Sequence, residues 1–429
     1  MLCRAFNIEG KADSTEFTDD SKIAAYAQNA VAAMSERKYI AGFEDGSFRP
    51  TENITRVQLC VILDKLAADY PELERRLEAG DACKKWKDIL ATTVPTYDSG
   101  WFETDENGAV TTEPTGTKEL YIRFWYPEGI TEGEKVPCLL FVYGGAWWGG
   151  SRAKAPEATV EYMPDNGIAV AALTYRVSQE AIMPFMLYDL QAQIRYLRLH
   201  ADELGIDADN FGITGPSAGG HMSSLAAVTG NEPELQDPGY VTFEGDDRSA
   251  STEIQYCAWQ YGCCNMLTCF EAVDSRIYTY NTNFALYNSP GGGGAVYDVF
   301  GLDDMTGYTY YDKNTGITHE GALTIAQVRD VWRSGDTEHE LWPVVQNMIN
   351  GSPIFWVDED DPAFFIYHGT NDVLCPIQQA TEMFEALCRA GVDCVYRICE
   401  GMGHGAYTHP QYYTEMMEWL VSQANSGTR

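Results

Sequence analysis

Residues 210–228 read NFGITGPSAGGHMSSLAAV. An apolar run of strand type (210–214) meets Gly215-Pro216-Ser217-Ala218-Gly219, which fits G-x-S-x-G, and a small-residue helical run follows. This strand–turn–helix context makes Ser217 a candidate nucleophile, because a sharp turn lifts its Oγ above the sheet edge. Gly215 and Gly219 are required where strand and helix approach too closely for side chains. The helix start aims backbone N–H groups at developing negative charge. Pro216 is the unusual member; its fixed φ of about −65° pre-sets the turn.

Working outward, near-continuous apolar runs predict further strands at 119–126, 136–143, 168–175, 254–261, 363–369 and 393–398. Such runs suit strands buried on both faces. Helical patterns at 188–205 and 376–391 fall between them. The alternation predicts an α/β fold with a mostly parallel central sheet over residues 116–429.

A serine hydroxyl needs a base, and the base an orienting carboxylate, here in the chain order Ser, Asp, His. FFIYHGTNDVLCP places Asp372 in a loop after one strand, and YRICEGMGHGAY places His404 after the next. One helix and one strand separate them, so both loops emerge at the C-terminal sheet edge beside Ser217. Rivals are weaker. His368 lies too near its strand end and reads as a packing or hydrogen-bonding group. His221 reads as structural, His200 as surface, and His409 opens the last helix. Asp360 and Asp361 precede their strand, at the wrong edge. The oxyanion donors are expected in FVYGGAWWGGSR, from the amides of Gly145 and Ala146 together with Ala218.

The chain has 63 acidic and 29 basic residues, a net charge of −34. This balance favours solubility and disfavours nucleic acid and anionic membrane surfaces. No apolar run reaches the length of a membrane span, and MLCRAFNIEGKAD shows no basic region followed by an apolar core. The 12 cysteines are dispersed and read mainly as buried thiols, and Cys263, Cys264 and Cys269 lack the paired spacing of a zinc site. No metal or organic cofactor is implied.

The N-terminal region is different. Phe17 and Asp19 in FTD precede a helical run whose apolar stripe is Ala24, Ala27, Val31 and Met34. AGFEDGSFRP (Gly42, Asp45, Gly46, Phe48, Pro50) and ITRVQLCVILDKL (Ile54, Thr55, Arg56) follow. This pattern, over about residues 1–68, resembles an S-layer homology repeat, with residues 1–13 resembling the end of a preceding repeat. The expected organisation is a helical region at 1–75, a connecting segment at 76–115 and the α/β domain thereafter. The resemblance implies binding to bacterial cell-wall polymers, with Arg56 in the groove, and an extracellular or cell-surface location.

The segments FVYGGAWWGGS, YDLQAQIRYLRLHADELGIDADNFGITGPSAGGHMSSLAA and EGMGHG resemble the α/β-hydrolase superfamily. More narrowly, they resemble the esterase/lipase group with feruloyl and acetylxylan esterases. The resemblance implies a serine carboxylic-ester hydrolase releasing feruloyl or acetyl groups from plant polysaccharides. Tyr143 replaces the histidine that usually begins the family's H-G-G oxyanion motif, so the loop must be supported differently. No cysteine adjoins Ser217 or His404, which disfavours the tannase-like subtype. Residues 265–325, with nine aromatics between Tyr278 and Tyr311, read as an inserted lid. The alternatives are a peptidase of the same fold, and a cell-wall binding protein with an inactive hydrolase domain.

Overall fold

The computed structural model describes residues 15–43, 45–51, 62, 65, 86–97, 110–131, 133–147, 149–269, 310–312, 317–319, 325–339, 341–405 and 410–426. The chain divides into two compact units, Met1–Lys85 and Trp86–Arg429.

In the first unit, helix α1 (Ala25–Glu36) buries Ala32, Ala33 and Met34. The expected stripe is therefore rotated: Ala24 is exposed ahead of the helix, and Ala27 and Val31 are half-buried. The turn after α1 has a local cause. The Asp19 carboxylate accepts from the amides of Phe48 (2.7 Å) and Arg49 (2.9 Å), and the Phe17 and Phe48 rings stack at 5.3 Å. Gly42 has φ +70°, and a Cβ there would meet the Phe17 ring at 2.6 Å. Thr55 and Arg56 lie outside the described residues.

The second unit is built on an eight-stranded sheet. Its strands are β1 (Trp86–Thr96), β2 (Gly116–Trp125), β3 (Val136–Phe141), β4 (Ala169–Ala172), β5 (Ile206–Pro216), β6 (Tyr256–Gln260), β9 (Ala363–Gly369) and β10 (Cys394–Cys399). A separate two-stranded pair, β7 (Tyr310–Asp312) and β8 (Ile317–His319), precedes β9. The order is β1-β2-β4-β3-β5-β6-β9-β10. β1 and β2 run antiparallel at one edge, β2 is antiparallel to β4, and β4, β3, β5, β6, β9 and β10 are mutually parallel.

The sheet thus begins earlier than residue 116. Residues 86–96, assigned from sequence to a connecting segment, form its edge strand. An edge strand pairs on one side only and need not be continuously apolar. Lys87 and Asp88 are exposed there, while Ala91 and Val94 are buried.

Helix α2 (Glu157–Asp165) carries the chain from β3 to β4, and α3 (Phe185–Leu199) carries it back past β3 to β5. Right-handed crossovers in opposite directions put these helices on opposite faces. α4 (Ala218–Val228) continues in the direction of α3. α5 (Ile325–Ser334) and α6 (Trp342–Asn350) lie between β8 and β9, α7 (Gln378–Ala390) joins β9 to β10, and α8 (Pro410–Ser426) follows β10. The reversal after β3 opens a crevice at the C-terminal strand ends, where α/β sheets place their ligands.

Candidate active site

β5 ends in the elbow. Ser217 has φ 57° and ψ −123° and caps α4. Such a conformation is costly for a non-glycine residue and persists only when its surroundings enforce it. Here they do. The Ser217 amide donates to the Gln260 carbonyl of β6 (2.9 Å), and the Ser217 carbonyl accepts from His221 N (3.0 Å). A Cβ on Gly219 would lie 2.1 Å from the Val142 carbonyl, and one on Gly215 would lie 2.3 Å from the same oxygen. Both glycines are required by close backbone approach, as expected.

The three candidate catalytic side chains meet. The Ser217 hydroxyl donates to His404 Nε2 (2.8 Å), and His404 Nδ1 donates to Asp372 Oδ2 (2.8 Å). Asp372 Oδ1 accepts from the amides of Leu374 and Cys375, each at 2.9 Å. Burial alone would raise the Asp372 carboxyl. Hydrogen bonding from His368 and then from His404 outweighs it and holds the group well below the usual carboxylate range. The loops carrying Asp372 and His404 are bonded to each other: Asn371 N donates to Met402 O (2.8 Å) and Gly401 N to Thr370 Oγ1 (2.8 Å). Tyr261, beyond β6, sets its ring edge against His404 at 5.1 Å.

The loop after β3 holds Gly145 (φ 142°) and Ala146 (φ 54°) beside the elbow, and Ala218 is the first residue of α4. A Cβ on Gly144 would meet Pro216 O at 2.4 Å and Ser217 Cβ at 3.3 Å, so this loop runs against the nucleophile turn. Tyr143, where the histidine usually stands, is buried. Its hydroxyl donates to the Tyr175 carbonyl (2.8 Å), the Tyr175 hydroxyl donates to the Tyr143 carbonyl (3.0 Å), and the rings stack at 4.4 Å. The loop's other anchor is Trp147, whose indole N–H donates to His221 Nδ1 (3.0 Å) and whose carbonyl accepts from Ser178 N (2.9 Å).

The remaining candidates fall outside the constellation. His221 is fully buried, donates to the Gly351 carbonyl (2.6 Å), and burial lowers its pKa to about 4. His200 sits at the end of α3, bonded to Tyr196 O. Asp360 and Asp361 line a separate cavity of about 270 Å³ that does not contain the triad. His409 and most of residues 265–325 lie outside the described residues. Cys263 and Cys269 are joined by a disulfide, and Cys375 Sγ lies 3.2 Å from Cys263 Sγ, so this trio is more than three separate buried thiols. Tyr175, Trp147, Tyr261 and His368 were not assigned to the site from sequence. Tyr175, Tyr261 and His368 are aromatics at or just beyond a strand end and Trp147 lies in the loop after β3, positions that periodicity does not distinguish from core.

Ser217 and His404 open into a cavity of about 930 Å³ walled by Phe141, Tyr261, Leu374 and Tyr413. Family models match three parts of the chain: BD-FAE at residues 125–290, the S-layer homology domain at 16–60, and the prolyl oligopeptidase family at 328–427. Residues 125–427 carry an α/β-hydrolase domain. This α/β-hydrolase is 28% identical over 267 residues to LipM of Mycobacterium tuberculosis, named a probable carboxylic ester hydrolase, covering 62% of this chain and 48% of that protein. It is 27% identical over 273 residues to the esterase LipC of the same organism, covering 63% and 53%. The chain spans about half the length of the curated relatives it matches. A solved truncated form of a carbohydrate esterase from gut microbiota superposes with TM-score 0.51 at 21% identity, covering 78% of this chain and 97% of that one.

Proposed function

We propose that this α/β-hydrolase is a serine carboxylic-ester hydrolase that releases feruloyl or acetyl groups from plant polysaccharides. The carrying observation is the continuous Ser217–His404–Asp372 chain, whose Ser217 and His404 line the cavity. Ser217 Oγ attacks the ester carbonyl carbon while His404 Nε2 takes its proton. The resulting oxyanion is held by the amides of Gly145, Ala146 and Ala218. Collapse breaks the ester bond, and Nε2 returns the proton to the leaving alcohol. Water then attacks the acyl-enzyme by the same route. Asp372 keeps the Nδ1–H tautomer and stabilises the imidazolium. Similarity to a probable carboxylic ester hydrolase and an esterase of Mycobacterium tuberculosis supports the reaction class. Aromatic walls at Tyr261 and Tyr413 suit a phenolic acyl group or the face of a sugar. The S-layer homology match supports attachment to bacterial cell-wall polymer and a cell-surface location.

The prolyl oligopeptidase match over 328–427, which contains Asp372 and His404, favours a peptidase as the second reading. Methyl ferulate, acetylated xylan, a gallate ester, a short p-nitrophenyl ester and an aminoacyl anilide, each with Ser217→Ala as control, separate the readings. Hydrolysis of the anilide but of no ester would overturn the first. No hydrolysis of any of them, together with wall-polymer retention and no fluorophosphonate labelling, would favour a binding protein.

A further inference from the structure

We infer that His368 is a positioning residue for the triad, a second histidine that fixes the Asp372 carboxylate from its buried side. The inference rests on reading Ser217, His404 and Asp372 as catalytic. His368 is near the end of β9 and is fully buried. Its Nε2 donates to the Cys375 carbonyl at 2.7 Å and lies 3.2 Å from Asp372 Oδ2. That oxygen is the one that accepts from His404. A carboxylate offers about four acceptor positions. Leu374 N, Cys375 N and His404 Nδ1 occupy three, and His368 supplies the fourth contact. The same N–H also fastens the turn that carries the carboxylate, through Cys375.

Packing alone does not account for an imidazole here. Its Nδ1 is buried without a partner among the described residues, and the Trp259 indole packs edge-on at 5.9 Å. An unpaired buried polar atom is destabilising, a cost that a leucine or phenylalanine would avoid. The imidazole retains that cost along with one well-aimed N–H. The tautomer follows: Nε2 faces a carbonyl and a carboxylate, both acceptors, and so carries the hydrogen.

The consequence for catalysis is electrostatic as well as geometric. A second donor on Oδ2 draws off part of the charge that His404 would otherwise meet. Removing it frees the carboxylate to rotate and concentrates its charge on His404, which then holds its proton more tightly. Among the described residues, the titratable groups facing the two imidazoles are Asp372 and Cys375 on the acid turn, Cys399 ending β10 beside β9, and Tyr261 beyond β6.

The test uses the full chain with p-nitrophenyl acetate. His368→Gln places an amide N–H near the Nε2 position, and His368→Asn places one near Nδ1. The Gln variant is expected to keep kcat within about threefold of the parent and to keep the acid limb of the kcat profile. The Asn variant is expected to lose about 10- to 100-fold in kcat with little change in KM, and its acid limb should move to higher pH. Equal behaviour of the two variants, or an unmoved acid limb in the Asn variant, would overturn the role of His368 and leave the triad reading intact. A parent without Ser217-dependent hydrolysis would overturn both.

Discussion

The sharpest structural departure at the site is the tyrosine pair that supports the proposed oxyanion loop, and it yields a quantitative prediction. Tyr143→Phe removes the donor to the buried Tyr175 carbonyl, and Tyr175→Phe removes the donor to the buried Tyr143 carbonyl. Each leaves a buried acceptor without that partner, at about 1–3 kcal/mol. The two bonds close one ring between stacked side chains, so breaking either loosens the other. The double variant should therefore lose less than the sum of the singles, with a coupling of about 0.5–3 kcal/mol. Tyr143 directly precedes Gly144 and Gly145, and the Tyr143 ring would be only 2.2 Å from a Cβ on Gly150. Movement of the tyrosine is thus movement of the loop. Complete loss of one oxyanion donor costs about 10²–10³ in rate, so partial displacement should lower kcat about tenfold while KM changes little. Guanidinium unfolding midpoints of the four proteins give the coupling, and p-nitrophenyl ester kinetics give the catalytic effect. Strictly additive stability losses with parental kcat would refute the idea that this pair holds the loop.

Four further outcomes follow from the geometry. Ser217→Ala should lower ester hydrolysis by about 10⁴-fold or more and abolish fluorophosphonate labelling; persistent Ser217-independent turnover would remove it as nucleophile. Asp372→Asn should fold normally yet lose about 10⁴ in kcat, since an amide no longer selects the His404 tautomer; a mild loss would point to another acid. Gly219→Ala should destabilise by about 3 kcal/mol, because the added Cβ meets the backbone of Val142 and Tyr143 rather than a movable side chain; an unchanged unfolding midpoint would contradict this. Asp361 is raised to about 8 by burial; the hydrogen bond from the Asp358 amide opposes the rise, and the negative charges of Asp358, Glu232 and Asp360 add to it. Its folded form therefore keeps a proton that the unfolded chain releases near pH 4, and stability falls as pH rises from about 4 to 8. Asp361→Asn should flatten that decline, as read from unfolding midpoints across pH.

Where the sequence was legible, the reason is local. Gly215, Ser217 and Gly219 lie within five residues, and their roles depend on the strand and helix directly attached. Asp372 and His404 could be paired because one helix and one strand separate them, so parallel topology brings their loops to one edge. What was not legible depends on partners far along the chain. β1 is an amphipathic edge strand whose identity comes from pairing with β2, and nothing in WKDILATT marks it as part of the sheet. Asp189 is a charge inside the apolar run FMLYDLQ, and that oddity was a readable signal. Its partner was not: Arg176 pairs with it at 2.7 Å with both side chains fully buried, and also donates to the Pro95 carbonyl. Tyr143 was seen as a departure, but the partner that fixes it, Tyr175, lies beyond the end of a different strand.

These long-range connections also explain where the site's precision resides. The 2.8 Å contact between Ser217 and His404 joins residues 187 positions apart, and neither side chain can hold it unaided. The elbow is fixed by Ser217 N on Gln260 O, and the acid and histidine loops by Asn371 N on Met402 O. At each junction one backbone meets another across a glycine: Gly219 against Val142, Gly144 against Pro216, and Gly369 against Met402, whose carbonyl would be 2.2 Å from an added Cβ. A polar substitution in the cavity can be absorbed by rotation of one side chain. A methyl group at one of these glycines must separate two main chains, and the separation is transmitted to the reacting atoms. Fold stability should therefore be more sensitive to an added methyl group at these glycines than to polar substitutions in the cavity.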